Sequence, residues 1–445
     1  MTLWFESALL PGGWARDVRI MLSGTRIGAI ETGVAARPGD VRHGVALPGL
    51  PNLHSHAFQR AMAGLAEAPG GVDRDDFWSW RETMYRLVGR LTPDDVAAVA
   101  AMAFAEMLES GFTRVGEFHY LHHDIDGGAY AEPARMAAAV AAAGAETGIA
   151  LTLLPVFYAH AGFGGTASAP GQRRFVSDLD RFARLREGCG HALRDLDGAV
   201  LGIGPHSLRA VTPGELTALL ALAPEGPVHI HIAEQMPEVE ACLAWSGARP
   251  VQWLLDHAPV DPRWCLVHAT HVDPGEVAGI ARSGAVVGLC PITEANLGDG
   301  LFPAGALLDA GGGFGIGSDS NVRIDAAEEL RLLEYGQRLA HRQRNVLARD
   351  GRSTGRTLFD HALLGGAQAL GAPAAGLAVG VAADIVALAP DAEGASGDAL
   401  LDRWIFARGG IDSVWRAGRL VVREGRHVAR DAIAARYRET LRRLS

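Results

Sequence analysis

The sequence predicts a (β/α)8 TIM-like barrel, class α/β, carrying a small composite β-sandwich formed by both chain ends. Three observations predict it: the length, a repeated strand-then-helix rhythm through the middle, and β-like pieces at both termini. A chain of 445 residues is long for one small domain and short for three, so one large barrel with an appendage fits it. Two doubly wound domains would fit the length equally well.

At the N-terminus, Val18–Leu22 and Arg26–Ile30 alternate in character between Gly turns and read as antiparallel strands. Asp384–Leu388 and Val414–Val422 have the same texture near the other end. Neither group can bury a core alone. Residues 1–46 with 373–445 are therefore expected to form one composite domain around a barrel at 47–372.

Eight apolar segments are the candidate barrel strands: Val45–Leu53, Phe112–Leu121, Ala150–Tyr158, Ala199–Leu208, Pro227–Ala233, Trp264–Val272, Ala285–Ile292 and Gly313–Asp319. Helices separate them, several opened by a capping residue and Pro: Thr92-Pro93, Thr212-Pro213 and Asp273-Pro274. Pro suits the first helical position because its missing N–H would be unsatisfied there anyway. Alternating strands and helices of this number describe a barrel. A dinucleotide-binding sheet would want a Gly-rich turn after the first strand, which instead runs into Pro51-Asn52-Leu53-His54-Ser55-His56.

Bulk properties restrict the partners. A formal charge of −10 argues against nucleic acid and anionic membrane, both of which need a basic surface. It leaves room for a small anionic substrate, since one or two arginines inside a cleft outweigh a distant field. The four cysteines are far apart and form no CxxC, so zinc knuckles and disulfides are not expected. No secretory signal and no apolar run of about 18 residues is present. A soluble, cytoplasmic protein is expected; the expected assembly is a homo-oligomer, with a dimer as the first choice.

The polar residues fall where a barrel keeps its chemistry, at the C-terminal ends of strands. His54 and His56, two apart, share one strand face. Alone they would as readily be hydrogen-bonded core histidines. His231 and Asp319 end other strands, and three imidazoles with one carboxylate suit Zn2+ with water at an open position. His229 shares the face of His231 but lies deeper, and reads as a buried, satisfied histidine. His122 and His123 read as solvated loop residues, and Phe77-Trp78-Ser79-Trp80 as packing, with Arg81 beside it able to reach a ligand.

His54-x-His56, His231 followed three residues later by Glu234, His268 and Asp319 together resemble the amidohydrolase superfamily. No Lys falls in the fourth strand, where two-metal members carry a carboxylated lysine, so the resemblance implies the one-metal deaminase branch. Leu47–Arg60, Val115–Tyr120, His206–Arg209 and His229–Gln235 resemble the formimidoylglutamate deiminase family more narrowly. That implies one zinc per chain on His54, His56, His231 and Asp319. It also implies Glu234, His268 and Asp319 as catalytic residues, and Gln59, Tyr120, His206 and Arg209 as substrate contacts. The expected substrate is a small anionic amidine, N-formimino-L-glutamate of histidine degradation, hydrolysed to N-formyl-L-glutamate and ammonia. Glu234 is expected to begin as a carboxylate, because an amidine arrives as a cation. A nucleobase deaminase would share the metal chemistry but needs no Arg after the fourth strand. A chlorohydrolase or amidase, or a catalytically silent scaffold, are the further alternatives.

Overall fold

Eight parallel strands close into a barrel in two sheets of four. One runs through Leu50–Ser55, Phe112–His119, Ala150–Phe157 and the two short pieces Val200–Leu201 and Gly204–Pro205. The other comprises Val228–Ile232, Trp264–His268, Val286–Leu289 and Gly313–Ile316. Parallel bridges Ile203–Val228 and Ser55–Asp319 seal the two seams. These are features of a computed structural model, which describes residues 1–67, 77–373, 375–390, 394–407 and 409–444. The side chains of Phe77, Trp78 and Ser79, expected to pack, lie outside the described residues.

The helix starts read from sequence form as expected. Thr92, Thr212 and Asp273 each accept the backbone N–H three residues on, and the Asp or Glu there bonds back to the cap. These reciprocal bonds satisfy donors that a helix N-terminus otherwise leaves orphaned. They hold Pro93–Glu109, Pro213–Leu222 and Pro274–Ser283 outside the barrel.

Two strand expectations need correction. Val45–Leu53 is not one strand: Val41–Pro48 belongs to the terminal sheet, and the chain then enters the barrel at Leu50. Gly49 makes that step, since a Cβ there would lie 2.2 Å from Thr113 Cγ2. The segment Val414–Val422 likewise folds as Ile411–Arg416 and Arg419–Arg423, paired antiparallel across a turn.

The terminal pieces form one eight-stranded sheet in which Thr2–Leu10 pairs with Val41–Pro48 and this strand pairs with Ile385–Leu388. The edge strand Arg26–Glu31 returns to the segment before Ile385, through Ile27 N–H to Val381 O (2.9 Å) and Ala383 N–H to Thr25 O (2.9 Å). The sheet thereby wraps its own core of Leu3, Phe5, Val18, Ile20, Ile385 and Trp415. The N-terminal strands lie together on one side of this sheet and the C-terminal strands on the other, joined where Val41–Pro48 pairs with Ile385–Leu388, which makes the small domain a joint product of both chain ends.

Candidate metal centre and substrate cleft

The strand ends converge because the last strand can approach the first. Gly317 permits it: a Cβ there would lie 2.7 Å from the His54 carbonyl oxygen. The His54 carbonyl accepts from Ser318 N–H (3.1 Å) and Asp319 N–H (3.0 Å), and Asp319 O accepts from His56 N–H (2.9 Å). Beneath this seam Asn52 donates to Ser318 Oγ (2.6 Å), and Asn321 donates to Ser55 Oγ (3.1 Å). Asp319 is held at φ 42° and His268 at φ 67°, both left-handed conformations that cost a non-glycine residue free energy. A buried network that fixes such backbones is typical of sites where side-chain direction matters.

His54 Nε2 lies 3.2 Å from His56 Nε2 and 3.0 Å from His231 Nε2. Asp319 Oδ1 lies 3.2 Å from His56 Nε2 and 3.6 Å from His54 Nε2. The other ring nitrogens of two histidines settle their tautomers. His56 Nδ1 donates to Phe118 O (2.9 Å) and His231 Nδ1 to His206 O (3.2 Å), since a carbonyl can only accept. Neutral rings so held turn Nε2 lone pairs toward one another. Lone pairs that close repel unless a cation lies between them, and a tetrahedral Zn–N length of about 2.0 Å separates ligand nitrogens by about 3.3 Å. The donor set therefore fits a metal ion. Burial pushes His54 and His231 well below the ordinary histidine range, and neighbouring histidines add to it. Burial opposes the Asp319 carboxylate, but His56 and His268 outweigh it and hold it below its usual range.

His268 stands beside this group, with Nε2 3.9 Å from both Glu234 Oε1 and Asp319 Oδ2. Its Nδ1 lies 3.2 Å from Glu294 Oε1. Burial disfavours the imidazolium, yet the surrounding carboxylates of Glu234, Glu294 and Asp319 raise it to about 10. Glu234 is raised by burial, with Asp319 and Glu238 adding and His268 and Arg209 opposing. Glu294 also accepts Cys290 N–H (2.9 Å), which fixes its carboxylate at the mouth of helix Pro291–Leu297.

A cleft opens above, lined by His56, Gln59, Arg81, Tyr120, His206, Arg209, His231, Glu234, His268 and Asp319. His54 is fully buried below it. The metal, catalytic and substrate candidates named from the sequence are thus gathered at one place. Glu117, also buried, accepts Ala57 N–H (2.7 Å) and so anchors the 3-10 turn Ala57–Met62 that carries Gln59. Gln59 Nε2 donates to Tyr120 OH (2.7 Å). Arg209 Nη2 is 3.9 Å from Glu238 Oε2, and Arg81 sits over the Tyr85 ring at 5.6 Å.

The sequence reading missed Tyr85, Tyr158, Glu238 and Glu294. Tyr158 carried a signal, an aromatic with a polar tip ending the expected third strand. Glu294 carried a weaker one, an acidic residue just past the seventh. His229 bonds Ala369 O (2.7 Å) one layer down, as expected of a satisfied histidine. His122 and His123 are not solvated: both are buried, bonding Val156 O (2.8 Å) and Val176 O (2.9 Å). The chain turns inward after the second strand because their N–H groups, main-chain and ring, find carbonyls there. Among the described residues, no helix is long and apolar enough to cross a membrane.

The whole chain contains no lysine, its 41 Lys and Arg being all arginine, so a carboxylated lysine cannot bridge two metals here. Residues 45–421 match the amidohydrolase family, and residues 2–44 match the formimidoylglutamate deiminase HutF N-terminal domain. The chain is 53% identical to the formimidoylglutamate deiminase of Pseudomonas aeruginosa over 99% of its length and 98% of that protein. Its fold is similar to that of an amidohydrolase from Brucella melitensis, with TM-score 0.97, 56% identity, and 100% and 99% of the two chains covered. An adenosine deaminase from Xanthomonas campestris with bound zinc shares the fold alone, at TM-score 0.82 and 24% identity over 100% and 98% of the chains.

Proposed function

The chain belongs to the amidohydrolase family, and from that premise we propose that it deiminates N-formimino-L-glutamate to N-formyl-L-glutamate and ammonia. The observation that carries this reading is the charge layout of the cleft. Carboxylates Glu234 and Asp319 and guanidiniums Arg81 and Arg209 line the one cleft, with Asp319 against the imidazoles and Arg209 beside Glu238. That layout complements a molecule with a cationic amidine at one end and carboxylates at the other. The Pseudomonas relative supports the same substrate.

One zinc per chain would be held by His54, His56, His231 and Asp319. When bound there, zinc lowers the pKa of water toward about 7 and makes it nucleophilic at neutral pH. Asp319 accepts the proton of the attacking water. His268, charged between Glu234 and Glu294, steadies negative charge developing on the attacking oxygen. Glu234 pairs with the amidinium and passes a proton to the departing nitrogen, which leaves as ammonia. Burial, Asp319 and Glu238 raise Glu234 in the free cleft, and an adjacent positive charge favours its carboxylate.

Arg209 holds one substrate carboxylate and Arg81 another, since a guanidinium fork grips a carboxylate through paired bonds. Gln59, Tyr120 and His206 complete the grip. We assign residues 47–372, less the Leu47–Pro48 end of the terminal-sheet strand, to the catalytic barrel, and residues 1–46 with 373–445 to its support. We further propose a cytoplasmic homodimer acting in histidine degradation; the four free cysteines support the reducing setting alone. The test is ammonia release from a panel of formimino acids and nucleobases. Turnover of formiminoglutamate well above all others is expected; preference for a nucleobase would overturn the substrate and leave the family standing.

A further inference from the structure

Beside the first cation position lies a second group of donors that the reaction does not use as a group. His268, Cys290 and Asp319 each offer one ligand atom, these atoms lie within 4.8 Å of one another, and all three residues are buried. The group joins three strand ends: His268 closes the sixth strand, Cys290 follows Val286–Leu289, and Asp319 follows Gly313–Ile316.

Asp319 is turned so that its two oxygens face different partners. Oδ1 points to His54 and His56 at 3.6 and 3.2 Å, whereas Oδ2 lies 3.9 Å from His268 Nε2. A carboxylate so placed can bridge two cations, an arrangement common where metal ions sit about 3.5–4 Å apart. Cys290 is 0% exposed, and its backbone is locked, with N–H bonded to Glu294 Oε1 (2.9 Å) and C=O accepting from Glu294 N–H (2.9 Å). Its sulfur lies within 4.8 Å of the ligand atoms of His268 and Asp319. Access is through the cleft, which His268 and Asp319 line.

We propose that His268, Cys290 and Asp319 form a second, inhibitory site for a soft divalent cation, bridged through Asp319 to the site proposed above. The chemistry of the donors defines the ligand class. Thiolate with imidazole selects Zn2+ or Cd2+ over the oxygen-seeking Mg2+ and Ca2+. On binding, the Cys290 S–H and the His268 imidazolium each release a proton to solvent, and the freed sulfur and nitrogen lone pairs make the new bonds. Occupancy removes His268 and Asp319 from their roles toward substrate, so the ion stops turnover without displacing the first. Excess zinc would thus inhibit an enzyme that needs zinc.

The inference rests on the reading of His54, His56, His231 and Asp319 as the first site, which is checked separately by metal content before any addition. Protein carrying one zinc per chain is titrated with Cd2+. Three readouts are followed: the ultraviolet charge-transfer band of a cadmium–thiolate bond, zinc released to a chromogenic chelator, and the rate of ammonia formation. Expected are one Cd2+ per chain, a thiolate band, retained zinc and a lost rate. Cys290→Ser should lack the band, keep its basal rate, and need at least about tenfold more Cd2+ for the same inhibition. If that variant does not fold, Cys290→Ala serves, and the band and zinc retention of the unaltered protein still decide. Cadmium binding without a band, a band that survives at Cys290→Ser, or zinc release matching cadmium uptake would each overturn the proposal. Protein that never holds zinc at the histidine cluster would instead refute the first-site reading.

Discussion

The two ends of the cleft are built differently. At the imidazole end, His54, His56, His231, His268 and Asp319 come from four barrel strands, are buried, and are fixed by main-chain bonds and two left-handed backbones. At the arginine end, Arg81 sits on helix Phe77–Val88 and Arg209 on the connection after the short fourth strand, both only partly buried. Strand ends of a closed barrel cannot move independently, so the first end has one geometry. Helix and loop side chains can be exchanged without disturbing the barrel. The difference separates the chemistry, set by the strands, from the choice of substrate, set by what surrounds their ends.

The sharpest way to break that division is to remove an imidazole-end ligand. His56→Ala or Asp319→Ala should abolish both bound zinc and turnover, as should exhaustive chelation, with activity returning when zinc is restored to the unaltered protein. Metal analysis beside an ammonia assay reads both. Full activity in metal-free protein would dissolve the distinction between the two ends.

Glu234 comes next, because it belongs to the imidazole end yet binds no metal. Glu234→Gln should keep its zinc and lose about 10²–10⁴-fold in kcat, the span usual for a group moving a proton in the transition state. Substrate binding should weaken as well, since an amide cannot pair with the amidinium. Lost turnover with unchanged binding would preserve the proton transfer and remove the ion pair. Near-normal kcat in zinc-loaded protein would remove both.

Arg209 tests the other end. Arg209→Met should leave zinc in place. Losing one partner of a buried charge pair costs roughly 2–5 kcal/mol, so kcat/KM should fall by about 30-fold to several thousand-fold. Formimino compounds lacking a carboxylate should show little difference between the two proteins. An equal loss for those compounds would mean that Arg209 supports the fold around Glu238 rather than the substrate.

This division also explains what could be read in advance. His-x-His, His231 and Asp319 were legible because metal ligation demands particular residue types at strand ends, and apolar strands announce where those ends lie. The break at Gly49 carried a signal in the Pro48-Gly49 pair inside Val45–Leu53, but that pair does not tell which sheet each half joins. The choice between buried and solvated for His122 and His123 depends on carbonyls of Val156 and Val176, supplied from far along the chain. Glu294 and Glu238 act through His268 and Arg209, and a carboxylate near a helix start looks like an ordinary cap until its partner is known.

The smallest effect expected lies at the arginine end, in a pair of matching devices. Gln59 donates to Tyr120 OH (2.7 Å), and Gln172 donates to Tyr158 OH (2.6 Å). A phenol that already accepts a bond keeps its own hydrogen free to donate, and both tyrosines line the cleft. Burial raises Tyr158 to about 12, with Tyr85 adding and Arg209 and Arg81 opposing, so the hydroxyl stays protonated wherever the enzyme works. A neutral donor beside Arg209 suits a carboxylate oxygen that the guanidinium leaves unsatisfied. Hydrogen bonds to a charged group contribute about 1.5–3 kcal/mol, so Tyr158→Phe should raise KM by about 10- to 100-fold. The bond is made in ground and transition states alike, and kcat should stay nearly constant. Rates measured from pH 7 to about pH 10 should show no step from Tyr158, because ionisation would only begin above that range. An unchanged KM would assign Tyr158 to packing against Phe175 and His206, its ring neighbours at 6.0 and 4.7 Å. A fall in kcat with KM constant would instead move it to the imidazole end's side of the comparison, as a group whose bond tightens only during reaction.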